Sequence, residues 1–187
     1  MSDVKTVNEF WLHEVGRQGW YVASDAVDGA IRERFEPLVE QAKKGELDDW
    51  CETPEGTLAI LILLDQFSRN LHRGKAEAFA ADAQAREIAR TAIAKNQDLE
   101  IPEPGRQFFY LPLEHSEVLA DQDWSLALFR ARMPSMPDDV MYHVKQHREI
   151  IRRFGRFPFR NEALGRASTD EETAFLEEGG YTPGKNA

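Results

Sequence analysis

His115, His147, Asp65, Arg69 and Gln122 are polar residues at positions where the surrounding spacing calls for apolar ones. An imidazole can take up and return a proton near neutral pH, a carboxylate can orient it, and a guanidinium can hold an anion. The chemistry these residue types point to is therefore binding of a small anionic molecule, with His115 and His147 as polar contacts or as acid and base. Glu114, Glu117 and Asp121 form an acidic row at i, i+3 and i+7. The row reads as a solvated face or as a source of a carboxylate for acid and base work, with Glu117 as the candidate. Each inward polar group can also be a satisfied core residue, and Asp65 with Arg69 can be a structural pair at i, i+4. Their number favours a shared pocket, because a buried charge pair adds little net stability once desolvation is counted.

Other chemistries find less in the letters. His143 and His147 have the i, i+4 spacing that lets two imidazoles meet one ion, but there is no His-Glu-x-x-His motif and only one cysteine. No metal ligand and no cofactor is expected. Ser116 follows His115 directly, yet adjacent helical residues point about 100° apart, and no Gly-x-Ser-x-Gly elbow is present. Cys51 has no neighbouring His or Lys and reads as packing.

Charge narrows the partners. The chain has 187 residues, 23 of them Lys or Arg and 33 Asp or Glu, for a formal charge of −10. Such a field opposes nucleic acid and anionic membranes. The sign is segregated: residues 145–166 hold seven basic and two acidic residues, a local +5 that leaves −15 elsewhere. Within that stretch, Arg152-Arg-Phe-Gly-Arg-Phe-Pro-Phe-Arg-Asn161 interleaves guanidiniums with aromatic rings. It could cradle a phosphate or carboxylate, stack on a ring, or dock against the protein's own acidic surface.

The elements that must position these groups read as helices nearly throughout. Ser24 caps a helix with Ile31, Phe35, Leu38, Val39 and Ala42 on one stripe, kinked at Pro37 and ended by Gly45. Thr53-Pro54 opens a helix whose run Leu58 to Leu64 is apolar on all sides, and Leu58, Ile62, Asp65 and Arg69 share one of them. An alanine-rich helix over about Ala76 to Lys95 follows. A segment near Gln107 to Leu113 then leads into a helix reaching Ala131, whose stripe of Val118, Leu119, Leu126 and Phe129 includes His115 and Gln122. Asp138 opens a helix with Val140, Val144, Ile151 and Phe154 around His147, and Ser168-Thr-Asp-Glu171 is a capping box for a last one. The expected class is all-α, about seven or eight antiparallel helices in one domain over 1–187. The longest apolar run is seven residues, against about 20 for a membrane span. With no cationic start leading into an apolar stretch, a cytoplasmic location is expected, and only the last few residues read as disordered.

Several longer motifs stand out together. They are Gly-Glu-Leu-Asp-Asp-Trp at 45–50, Leu-Asp-Gln-Phe-Ser-Arg-Asn at 64–70, His-Arg-Gly at 72–74, Tyr-Leu-Pro-Leu-Glu-His-Ser-Glu at 110–117 and Ala-Asp-Gln at 120–122. His147, Arg-Phe-Gly-Arg-Phe-Pro-Phe-Arg-Asn at 153–161 and Leu-Gly-Arg-Ala-Ser-Thr at 164–169 complete the set. With these motifs the sequence resembles the bacterial domain of unknown function family 924, and the resemblance implies a tetratricopeptide-like helical superhelix. It carries over the family pattern at Asp65, Gln66, Arg69, Asn70, His115, Ser116, Glu117, Gln122, His147, Arg153, Arg156, Arg160 and Asn161. It departs at Phe159, where the family usually has His, and at Ser68, where it usually has Pro. The family's name assigns no activity. Two functions follow as expectations. The first is a pocket for a small anionic metabolite, with hydrolase or transferase chemistry as its catalytic form, lined by Asp65, Gln66, Arg69, Asn70, Gln122, Arg153, Arg156, Arg160 and Asn161. The second is a tetratricopeptide-like scaffold holding a peptide or protein in a groove. Oligomeric state is not legible.

Overall fold

The structure, a computed structural model, describes residues 3–183, and the expected disorder of the last residues lies outside them. Among the described residues the regular structure is helical and no strand occurs. The class is all-α. No helix is long and apolar enough to cross a membrane.

Helix α1 (Asp3–Glu9) passes through a π-helical turn at Phe10–Val15 into α2 (Gly16–Trp20). Ser24 accepts from the Val27 amide at the start of α3 (Asp25–Lys43), whose buried stripe is Ile31, Phe35, Val39 and Ala42. The helix runs on past Pro37, and the chain leaves it through Gly45 at φ 75°. Thr53 accepts from the Gly56 amide and Pro54 takes the first position of α4 (Pro54–Leu61). Every residue from Gly56 to Ser68 is buried, as a helix apolar on all sides requires. Helix α4 does not simply continue. Residues Ile62–Phe67 form a π-helical turn before the short α5 (Ser68–Leu71).

The alanine-rich stretch splits into a 3-10 turn at Ala76–Phe79 and α6 (Asp82–Ala94). Tyr110-Leu-Pro forms the short α7 (Leu111–Glu114), with Pro112 in its first turn. The expected helix through His115 does not form. The chain breaks after α7 and restarts as α8 (Leu119–Arg132), leaving Val118 51% and Leu119 38% exposed instead of on the inner stripe. Ser116 accepts from the Val118 amide in this break, an alternative to helical bonding that a serine side chain offers. Helix α9 (Asp138–Phe154) buries Val140, Val144, His147, Ile150 and Ile151 and ends on Gly155 in the left-handed region at φ 69°. The capping box of α10 (Asp170–Glu177) lies one residue beyond the expected one: Thr169 pairs with Glu172.

A continuous apolar core built on α3, α4 and their π-helical continuation packs Phe10, Trp11, Phe35 and Phe67 ring to ring. A smaller cluster of Ile150, Ile151, Phe157 and Tyr181 joins α9 to the C-terminal segment. Helices α7 and α9 meet between the two clusters, and the polar groups collect there.

Gly56 sits where α4 meets the Asp48–Glu52 turn, and a Cβ there would lie 2.0 Å from the Trp50 carbonyl oxygen. Because backbone must move to admit it, Gly56→Ala is expected to cost about 2 kcal/mol in urea unfolding.

Candidate functional site

Asp65 sits in the middle of the π-helical turn and is 1% exposed. Its carboxylate receives His115 Nδ1 at 2.8 and 3.0 Å, Arg69 Nη1 at 2.8 Å and Gln66 Nε2 at 2.5 Å. Burial by itself would raise the Asp65 pKa, but the charge of Arg69 and the His115 and Gln66 bonds outweigh it and hold it at about 2. A carboxylate ionised at all working pH only accepts, so the His115 proton resides on Nδ1 and Nε2 keeps the lone pair. Burial, followed by repulsion from Arg69, lowers the His115 pKa against the pull of Asp65. The ring is a neutral base with a fixed tautomer.

The His147 ring is oriented by a different route. Its Nδ1 lies 2.9 Å from the His143 carbonyl oxygen one turn earlier and 2.8 Å from Glu114 Oε1. Both partners accept, so Nδ1 again carries a hydrogen and the ring orientation is fixed. Glu114 ends α7 and His115 follows it, so adjacent residues of one short segment serve both imidazoles, Glu114 by orienting one and His115 by being the other. The two rings lie 6.1 Å apart, centroid to centroid, and both line a cavity of about 470 Å³.

Three guanidiniums share that cavity. Arg69 is paired twice, to Asp65 and to Asp82 at 3.0 Å. Arg73 holds Asp28 at 2.6 and 2.9 Å, and Asn70 reaches the same carboxylate at 2.7 Å. Arg160 is 6% exposed, stands over the faces of Phe157 and Phe79 at 4.5 and 4.6 Å, and has one ion-pair contact, Asp82 at 3.4 Å. Burial and then the charge of Arg69 push its pKa down to about 10, which leaves it cationic at neutral pH. Trp20, Tyr21, Leu111, Val140, Phe159 and Tyr181 supply apolar and aromatic wall.

Of the residues singled out in the sequence, Asp65 stands directly behind the cavity, and Gln66, Arg69, Asn70, His115, His147 and Arg160 line it. The others lie elsewhere. Glu117 accepts from both Arg166 Nη atoms, at 2.7 and 3.0 Å, and from the Phe157 amide at 2.9 Å, which fastens the loop after α9. Gln122 donates to the Glu114 and Ser116 carbonyls at 2.5 and 2.7 Å and so brackets the break after α7. Arg153 pairs with Glu171, and Arg156 with Glu172 at 2.6 and 2.7 Å. Asn161 donates to Ser168 and Glu172. Apart from Arg160, the basic run thus docks on the protein's own carboxylates. The acidic row is not a solvated face: Glu114 and Asp121 are 3% and 1% exposed, and Asp121 binds Arg90 and the Ser116 hydroxyl. The break after Glu114 removes the regular i, i+7 geometry on which that reading depended.

Glu114, Arg73, Tyr21, His143 and Tyr181 line the cavity without having been singled out as binding residues. Glu114 carried a usable signal, a carboxylate next to the apolar run Phe108 to Leu113. Among the described residues no group of three or more His, Cys, Asp or Glu is disposed to hold a metal ion.

Removing the Arg69 guanidinium would leave Asp65 and Asp82 buried with less compensation. Arg69→Ala is expected to lower unfolding free energy by about 3 kcal/mol or more in urea titration. Stability should also fall with acid in two stages. His115 has a folded pKa below its unfolded value near 6.5, so the unfolded chain takes the proton first and stability declines as pH drops below about 6.5. Asp65, held at about 2, adds a second loss between about pH 4 and 2, worth about 2 kcal/mol. Urea unfolding of His115→Gln across this range should show a smaller first decline, the remainder belonging to His72 and His143, whose pKa values burial also lowers.

No functionally curated protein matches the chain. The solved structure of a protein of unknown function from Agrobacterium tumefaciens is 39% identical and superimposes with a TM-score of 0.88 over 94% of this chain and 97% of that one. The family described as bacterial protein of unknown function, DUF924, matches residues 7–180. The chain belongs to that family.

Proposed function

We propose that the cavity binds a small metabolite through an anionic group, with Arg160 as its anchor and the Nε2 atoms of His115 and His147 as polar contacts or, for a substrate, as acid and base. One observation carries this reading. Arg160 is buried and charged, yet its fork makes a single carboxylate contact at 3.4 Å, whereas Arg69 and Arg73 are each held by close carboxylates. Buried guanidiniums seek bidentate acceptors, and a ligand carboxylate or similar anion supplies one. The fixed tautomers of both imidazoles support a catalytic extension, since an oriented basic nitrogen beside a bound substrate is what proton transfer requires in a hydrolase or transferase. A cytoplasmic protein is consistent with a ligand of this kind.

The alternative, a tetratricopeptide-like scaffold with a peptide groove, draws on the exposed apolar residues Val22, Leu99, Val118, Leu119 and Tyr142. These come from four separate stretches of chain. It leaves unexplained why opposite charges, two oriented imidazoles and an underfilled guanidinium should line one cavity.

A thermal-shift screen against small carboxylates, phosphates, sulfate and divalent metals tests the proposal. An anion at a hundredfold excess over its Kd should raise the melting temperature by about 5 °C or more, and Arg160→Gln should abolish the shift while keeping the helical circular dichroism. Absence of any anion-dependent shift, or an undiminished shift in Arg160→Gln, overturns it.

A further inference from the structure

Of the charged residues that line the cavity, two are underfilled and they are of opposite sign; Asp82, which pairs with Arg69 and Arg160 but is not a lining residue, also leaves Oδ1 unpartnered. Asp65, Arg69, Arg73 and Asp28 are matched among themselves. Arg160 has the one long contact to Asp82, and its Nε has no hydrogen-bond partner. Glu114 gives Oε1 to His147, while its Oε2 is buried and unpartnered. An unpaired atom of a buried charged group costs free energy that the fold must supply. The two residues, one cation and one anion, both line the cavity and form a matched demand.

We infer that the ligand is a zwitterion of the α-amino acid type, its carboxylate on Arg160 and its ammonium on Glu114, an inference that rests on the anion-binding reading above. The environment at each end fits. Around Glu114, the rings of Tyr181 and His147 lie 5.3 Å apart, and Trp20 and Tyr21 pack edge to face at 6.4 Å. Aromatic faces beside a carboxylate attract an ammonium. The charge of Glu114 is felt there: after burial, it is the next cause raising the hydroxyl pKa of both Tyr21 and Tyr181. At the other end, Phe79 and Phe157 stack under the Arg160 guanidinium and keep its plane fixed for a bidentate acceptor.

Net charge points the same way. The three guanidiniums of the cavity stand against four carboxylates, Asp28, Asp65, Asp82 and Glu114, while the imidazole of His115 is neutral. A phosphate dianion or a nucleotide would enter a site with no surplus of positive charge, whereas a zwitterion adds none of either sign. The volume of about 470 Å³ is at the smaller end of ligand sites, roughly 300–1,000 Å³. Leu111, Val140 and Phe159 on its wall suit an apolar or aromatic ligand side chain.

Isothermal titration of the full chain with three matched sets tests this. The zwitterions are L-phenylalanine and L-leucine, the des-amino acids are 3-phenylpropanoate and 4-methylpentanoate, and the amines are 2-phenylethylamine and 3-methylbutylamine. At least one zwitterion should bind about tenfold or more tighter than both its des-amino acid and its amine. Glu114→Gln, which keeps an acceptor for His147, should reduce the zwitterion to the affinity of the des-amino acid and leave the latter unchanged. Des-amino acids binding as well as the zwitterions would overturn the inference and leave anion binding standing. Failure of all three sets at millimolar concentration overturns it too, with anion binding then judged by its own screen.

Discussion

A buried carboxylate must be surrounded by donors or it will not stay ionised, and Asp65 imposes that condition on the centre of this molecule. Its four close contacts come from Gln66 on its own turn, from Arg69 in the α5 that follows, and from His115, which arrives from fifty residues along the chain. The first two are local and fix the conformation of the turn. The third ties the end of α7 to that turn, since His115 follows Glu114 directly. The break between α7 and α8 is then stabilised by Gln122 and Ser116, whose bonds satisfy the main-chain groups the missing turn would have paired.

The same economy joins the cavity to the C-terminal segment. Asp82, at the first position of α6, accepts from Arg69 and stands within reach of Arg160, so one carboxylate couples the central helix to the loop after α9. Glu117 performs the complementary task, holding Arg166 and the Phe157 amide. Segregation of charge along the sequence is thus the precondition of a fold that closes by pairing: the basic stretch meets Glu117, Glu171 and Glu172. Arg160 is the member of that stretch drawn inward, and it is the one left underfilled.

Much of this was legible in the letters where a single physical signal dominated. Ser24 and Thr53-Pro54 announced helix starts because their side-chain oxygens and the missing proline amide act locally. The inward His147 was legible because α9 keeps a regular period from end to end. His115 and Gln122 were recognised as inward for a reason that does not hold, a shared helical stripe: both are inside, but across a chain break, the first on Asp65 and the second on main-chain carbonyls. Glu117, Arg153, Arg156 and Asn161 could not be told from cavity residues, because an arginine or carboxylate committed to a distant partner has the same local sequence context as one that is free. The π-helical turn at Ile62–Phe67 left no mark either, since Ile62 to Leu64 continue the apolar run without a break in pattern.

Phe159 bears most directly on what the cavity can do. The resemblance to the family places His at this position, and an imidazole there would add a proton carrier to those of His115, His143 and His147. Here the ring lines the cavity, packs on Phe157 at 5.2 Å and lies 6.0 Å from the Arg160 guanidinium. It offers no proton and no lone pair, but it excludes water from one side of a buried cation, and a drier guanidinium binds its counter-charge more strongly. Under the proposed reading, proton transfer at the cavity would fall to the imidazoles of His115, His147 and His143, while Phe159 adds apolar wall beside Arg160.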